Sequence, residues 1–143
     1  MPGMQPGDVF GPSSWIEIPQ SRIDTFAAAC GDDQWIHVDP ERAADGPFGM
    51  TIAHGYLTLS LLSVASYEVI PRDPTARMGI NYGLNRVRFP APVPVNSRVR
   101  ATFEVISVEE IEGGSQRTLT ATVEREGGDK PVCVAEVVWR SYR

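Results

Sequence analysis

The sequence predicts an α+β fold, with helices in its first half and an antiparallel sheet in its second. Three observations carry this. Apolar residues before Pro71 recur at helical spacing, whereas after it they alternate with period two. Glycine-rich turns cut the second half into strand-sized pieces. The run Tyr56–Ile70 contains no Gly or Pro and is apolar on most sides, so it reads as a buried helix. A sheet is the one element in the chain large enough to wrap it.

Each element has its own signal. Trp15–Ile18 suits a short strand. Ser21 is the expected N-cap of a first helix, with Asp24 completing a shortened capping box. Ile23, Phe26, Ala27 and Cys30 follow at helical spacing, and Gly31 ends the helix. Asp39 is placed to cap a second, short helix, with Pro40 at its first position and Glu41 at the positive end of its dipole. The stretch 45–49, DGPFG, breaks that helix. In the buried helix, serine and threonine hydroxyls are expected to bond back one turn, which permits burial. Ile80, Tyr82 and Leu84 share one strand face, while Val87 and Phe89 take the other phase, which predicts a bulge near Asn85. Val99, Ala101, Phe103 and Val105 alternate with polar residues, as do Leu119, Ala121 and Val123. Turns are expected at Glu112–Ser115 and Gly127–Asp129. Val132–Trp139 is apolar on both faces except at Glu136, so it is expected at the centre of the sheet.

Composition limits the function. The chain has 143 residues, enough for one domain, 1–143, that buries roughly 70% of its unfolded surface. A formal net charge of −5 without any basic run argues against nucleic acid as a partner. The start of the chain lacks a basic region followed by an apolar stretch, so it does not read as a signal peptide. Polar residues interrupt Thr51–Ile70 too often for a membrane span. Cys30 and Cys133 lack metal or redox spacing and read as small apolar residues in a reducing compartment. The expectation is a cytoplasmic protein with no membrane partner.

One segment carries chemistry. CGDDQWIHVDP, residues 30–40, sets three acids, an amide, an indole and one of the two histidines between apolar segments. From the residues alone, Asp32 either caps a loop or serves as a catalytic acid. His37 is either a satisfied, half-buried histidine or its partner. Asp33 reads as solvated, and Asp39 as a cap rather than a base. A metal site built from Asp32, His37, Asp39 and His54 is disfavoured, since no closely paired ligand spacing is present.

Phe26–Pro40 resembles the hydratase motif of the MaoC-like dehydratases, the R-specific enoyl-CoA hydratases. Phe48–Leu57 resembles that family's entry into its central helix, and Asn81–Val93 resembles its next strand. The three motifs occur in the family's order and span most of the chain, with likeness to the small single-domain mycobacterial-type enzymes. Gln34 and Trp35 depart from the family's Asn and Pro. Neither is a proton carrier, so the departures bear on substrate range. The resemblance implies a hot-dog fold, in which the antiparallel sheet wraps the long central helix, and it implies a homodimer.

The implied activity is reversible hydration of a trans-2-enoyl-CoA to the (R)-3-hydroxyacyl-CoA. Water must be held and deprotonated near C3, a proton must reach C2, and the thioester oxygen must be stabilised as it gains charge. Asp32 and His37 match the family's catalytic pair. Gly55, at the start of the buried helix, either packs closely or aims its N–H at the thioester oxygen, and the two are compatible. His54 is expected to bond the overhanging loop. Ser63, two turns into the helix, is a candidate substrate contact. Arg86 and Arg88 could meet coenzyme A phosphates, or form a solvated face. No metal and no organic redox cofactor is implied, coenzyme A being part of the substrate. The rivals are an acyl-CoA thioesterase on the same fold and a non-catalytic acyl-CoA-binding or partner subunit.

Overall fold

The structure is a computed structural model and describes residues 3–143. Its elements run β1 (Val9–Phe10), β2 (Ile16–Ile18), α1 (Gln20–Cys30), α2 (Trp35–Val38), α3 (Pro40–Ala44), α4 (Gly55–Val69), β3 (Met78–Arg88), β4 (Ser97–Ile111), β5 (Gly114–Arg125) and β6 (Cys133–Tyr142). The six strands form one antiparallel sheet in the order β1-β4-β5-β6-β3, with β2 also pairing β4. The expected α+β class, with the sheet wrapped on a long helix, is what the chain adopts.

Alternation in β4, β5 and β6 builds the helix-facing side. Register sets Val105, Leu119 and Val137 side by side, then Phe103, Ala121 and Ala135, then Ala101, Val123 and Cys133. All nine are buried. The alanines thin the middle row, which lets α4 lie close against the sheet. On α4, Leu57, Thr58, Leu62, Ala65 and Ser66 face inward. The hydroxyl of Ser66 bonds back to the Ser63 carbonyl at 2.7 Å and that of Ser60 to the Leu57 carbonyl at 2.6 Å, as expected for hydroxyls in an apolar helix. Strand β6 is paired on both edges, by β5 and β3, as its two-faced apolar pattern predicts.

Several expectations need correction. Helix α1 starts at Gln20 with Pro19 as N-cap, not at Ser21. Asp24 is engaged by the Gln20 amide at 2.9 Å, which leaves no capping box. Strand β1 carried no separate sequence signal and is fixed by pairing with Phe103 and Glu104. Strand β3 carries two register shifts, one between Leu84 and Arg86 where a bulge was expected and a second between Asn81 and Gly83. Helix α4 is covered on one side only: Tyr56 and Val64 are exposed, and Tyr67 is 81% exposed. The single sheet is too narrow to wrap both sides of the helix. Strand β3 likewise leaves one edge unpaired, with Met78, Ile80, Tyr82 and Leu84 exposed.

Candidate active site

The site begins where α1 stops. Gly31 adopts φ 87°, the left-handed region open to glycine, and its N–H closes the helix on Ala27 at 2.8 Å. The chain then turns through Asp32, whose carboxylate faces the Gln34 N–H at 3.4 Å. The segment then contains one helical turn, α2, and His37 sits on it. Asp39 caps α3 by accepting from the Arg42 N–H at 3.1 Å, so it is the cap that its place before Pro40 implied. Asp33 is exposed, as expected. Trp35 packs under the Arg42 guanidinium, 4.4 Å from its ring centroid. A Cβ at Gly46 would come within 2.9 Å of that ring. The indole therefore clamps α2 to the end of α3.

Two contacts lock this loop to the chain leading into α4, and a third ties it to α1. The Ile52 N–H donates to the Ile36 carbonyl at 3.0 Å, and the His37 Nδ1–H donates to the Ile52 carbonyl at 2.7 Å. The Gln20 amide donates to the His37 carbonyl at 2.7 Å. A carbonyl only accepts, so His37 carries its proton on Nδ1 and leaves the Nε2 lone pair free when neutral. His37 is 6% exposed, so the ring is held rigidly in a wall with one nitrogen to offer.

His54 is the residue whose place the sequence understated. It donates from Nε2 to the Asp32 carbonyl at 2.8 Å, so it does bond the overhanging loop. It also stacks on His37, with ring centroids 3.9 Å apart and planes at 22°, and it touches Phe26. Its Nδ1 is buried without a hydrogen-bond partner. The available signal was that the chain has only two histidines, and both flank the loop. The Asp32 carboxylate and one ring nitrogen from each histidine lie within 4.8 Å of one another, a span that one water can bridge. These three donors are also the group that could hold a metal ion. Stacked rings aim their lone pairs side by side rather than at one point, which suits a tetrahedral ion poorly.

Gly55 follows directly as the first residue of α4. A first-turn N–H has no acceptor within its own helix and lies at the positive end of the helix dipole. A Cβ at Gly55 would meet the Phe89 ring at 3.0–3.1 Å, so the close-packing reading of this glycine holds. Ser63 does not join this group. It lies eight residues further along, about 12 Å up the axis. There it lines, with Ser66, a cavity of about 520 Å³ between the end of α4 and strands β3 and β6. Arg86 and Arg88 are exposed on β3.

The MaoC like domain matches residues 3–127 of this chain. The chain belongs to the MaoC-like family. Within that family it is 54% identical over 135 residues to the 3-hydroxyacyl-thioester dehydratase Z of Mycobacterium tuberculosis, covering 94% of this chain and 89% of the relative. It is 49% identical over 132 residues to nodulation protein N of Rhizobium leguminosarum bv. viciae, covering 90% of this chain and 81% of the relative. Among solved structures it resembles the (R)-hydratase of A. caviae involved in PHA biosynthesis, with a TM-score of 0.78 and 26% identity, covering 97% of this chain and 98% of that one. The MaoC-like resemblance and the hot-dog architecture expected from the three motifs are therefore both met.

Proposed function

We propose that this MaoC-like chain, acting as one domain, is a hydro-lyase that reversibly adds water to a trans-2-enoyl-CoA to give the (R)-3-hydroxyacyl-CoA. The observation that carries the reading is the meeting of Asp32 and His37 within 4.8 Å beside the first turn of α4. It gains support from 54% identity to a 3-hydroxyacyl-thioester dehydratase.

The chemistry follows from the groups. A water sits between the Asp32 carboxylate and the free His37 Nε2. Its oxygen bonds to C3 as the pair takes up one of its protons. The C2=C3 electrons move toward the thioester, and the oxygen that gains charge meets the Gly55 N–H. The proton held by the pair then goes to C2, which completes the addition of one water. The His37 bond to Ile52 fixes the tautomer, and the His54 bond to Asp32 fixes the loop. No metal and no organic redox cofactor is required by these steps.

The reading includes a homodimer. The edge of β3 is unpaired and the stripe Tyr56, Val64, Tyr67 is exposed, and a second copy would cover both. A cytoplasmic location fits two unpaired cysteines. Among the described residues no helix is long and apolar enough to cross a membrane. Incubation with crotonyl-CoA tests the reaction class. Loss of enoyl absorbance without free thiol supports the hydratase. Thiol release would replace it with a thioesterase, and neither signal, across a chain-length series, with a binding subunit.

A further inference from the structure

On β5 the helix-facing positions run Ser115, Arg117, Leu119, Ala121, Val123, all buried. One member of this core row is a cation. Arg117 is 9% exposed, and its Nη2 donates to the Ser141 hydroxyl at 2.9 Å. Its Nε is buried without a partner. Among the described residues no carboxylate lies within ion-pair distance of it. Burial lowers its pKa, opposed by the nearby Asp73 carboxylate, yet a guanidinium stays charged in a protein. A buried, unpaired charge with a free N–H is costly unless something arrives to meet it.

The space for that partner is present. Arg117 lines the 520 Å³ cavity, together with Arg72, Arg77 and Arg140 against the single carboxylate of Asp73. Asp73 is itself engaged by the N–H and hydroxyl of Thr75 at 2.8 and 2.6 Å. The cavity is thus cationic inside a chain of net charge −5. Helix α4 connects it to the proposed chemistry, since Ser63 on its wall lies about 12 Å along the axis from Gly55. An acyl chain whose thioester sits at Gly55 and which follows α4 ends here. We propose that Arg117 recognises an anionic end of the acyl group, so that the favoured substrates are 2-enoyl thioesters carrying a terminal carboxylate. The charged guanidinium suits a carboxylate, which would meet its Nη groups from the cavity side, since Nε is buried. This rests on the hydratase reading for the direction of the acyl chain.

Calorimetric binding of two saturated acyl-CoA esters of equal medium length, one ending in methyl and one in carboxylate, tests it without turnover. The wild type is expected to bind the carboxylate form at least ~10-fold tighter, the scale of a charge-assisted hydrogen bond. Arg117→Met should lose that preference, and Arg117→Lys should keep part of it. Replacing an unpaired buried charge with an apolar chain is not expected to unfold the protein. The wild-type comparison needs no variant in any case. Equal binding of the two esters, or a preference for methyl, overturns the proposal. So does Arg117→Met weakening free coenzyme A and both esters alike, which would make this a phosphate site. A wild type that prefers the carboxylate ester but turns over no enoyl thioester would sink the hydratase reading and leave Arg117 its role.

Discussion

The role of Gly55 can be separated from its shape by two substitutions in two backgrounds. Both Gly55→Ala and Gly55→Pro add a Cβ that meets the Phe89 ring at 3.0–3.1 Å. The ring is 43% exposed, so it can move aside at a modest cost. Only proline deletes the N–H. The backbone accommodates proline here. Gly55 is the first residue of α4, where that N–H has no acceptor within the helix. The preceding residue, His54, has φ −61° and ψ 139°, within the extended range that a following proline demands. The Cβ cost is shared and should be relieved in both variants by Phe89→Ala, whereas a lost donor cannot be relieved that way. In the Phe89→Ala background we expect Gly55→Ala to recover most of its turnover and Gly55→Pro to stay down by about 10²–10³, the cost of one oxyanion donor. The assay is kcat on a trans-2-enoyl-CoA, with circular dichroism to confirm both folds. Equal turnover of the two variants in the relieved background would refute the oxyanion role and leave Gly55 a packing residue.

Other consequences are quicker to check. Sedimentation at micromolar concentration should show a dimer, and Tyr82→Asp on the exposed β3 edge should shift it toward monomer; a fully active wild-type monomer would contradict this. Turnover should survive dialysis against a chelator, because the proposed steps pass through no metal; activity lost on chelation and restored by a divalent ion would assign the Asp32–His37–His54 group to that ion instead. Burial pushes the Cys133 thiol up to about 11, so at pH 8 iodoacetamide should label one thiol per native chain, the exposed Cys30, and two after denaturation. The sign of the linkage follows. Cys133 favours the fold below the ordinary thiol value of 9.0, and that stability is lost as pH rises through about 11.

What could be read from the sequence was what local chemistry decides. Gly31 ends α1 because its left-handed φ suits glycine, and Asp39–Pro40 starts α3 because that pair is a cap followed by a preset φ. Strands β4 and β5 alternate because one face of each is buried. The misreadings have tertiary causes. Ser21 looked like a cap, but Gln20 starts the helix and its amide ties α1 to the His37 carbonyl, 17 residues on, a contact without local periodicity. Strand β1 is two residues long and exists by pairing with β4. The Asp32–His37 pair was visible only through motif resemblance, since five residues of spacing do not say how a turn folds. The stacking of His54 on His37, across 17 residues of chain, left no local trace. Arg117 drew no reading from the sequence, because the cavity it faces exists only once β5, β6 and α4 are assembled.

The central claim is that Asp32 and His37 act as a unit on one water. Turnover of Asp32→Asn, His37→Gln and the double variant, measured on the same trans-2-enoyl-CoA, tests it most directly. Each single change should lower kcat by at least ~10², the scale of positioned acid–base catalysis. The double variant should be little slower than either, because either loss already disables the pair. Near-normal turnover in a folded single variant, or losses that multiply in the double, would contradict it.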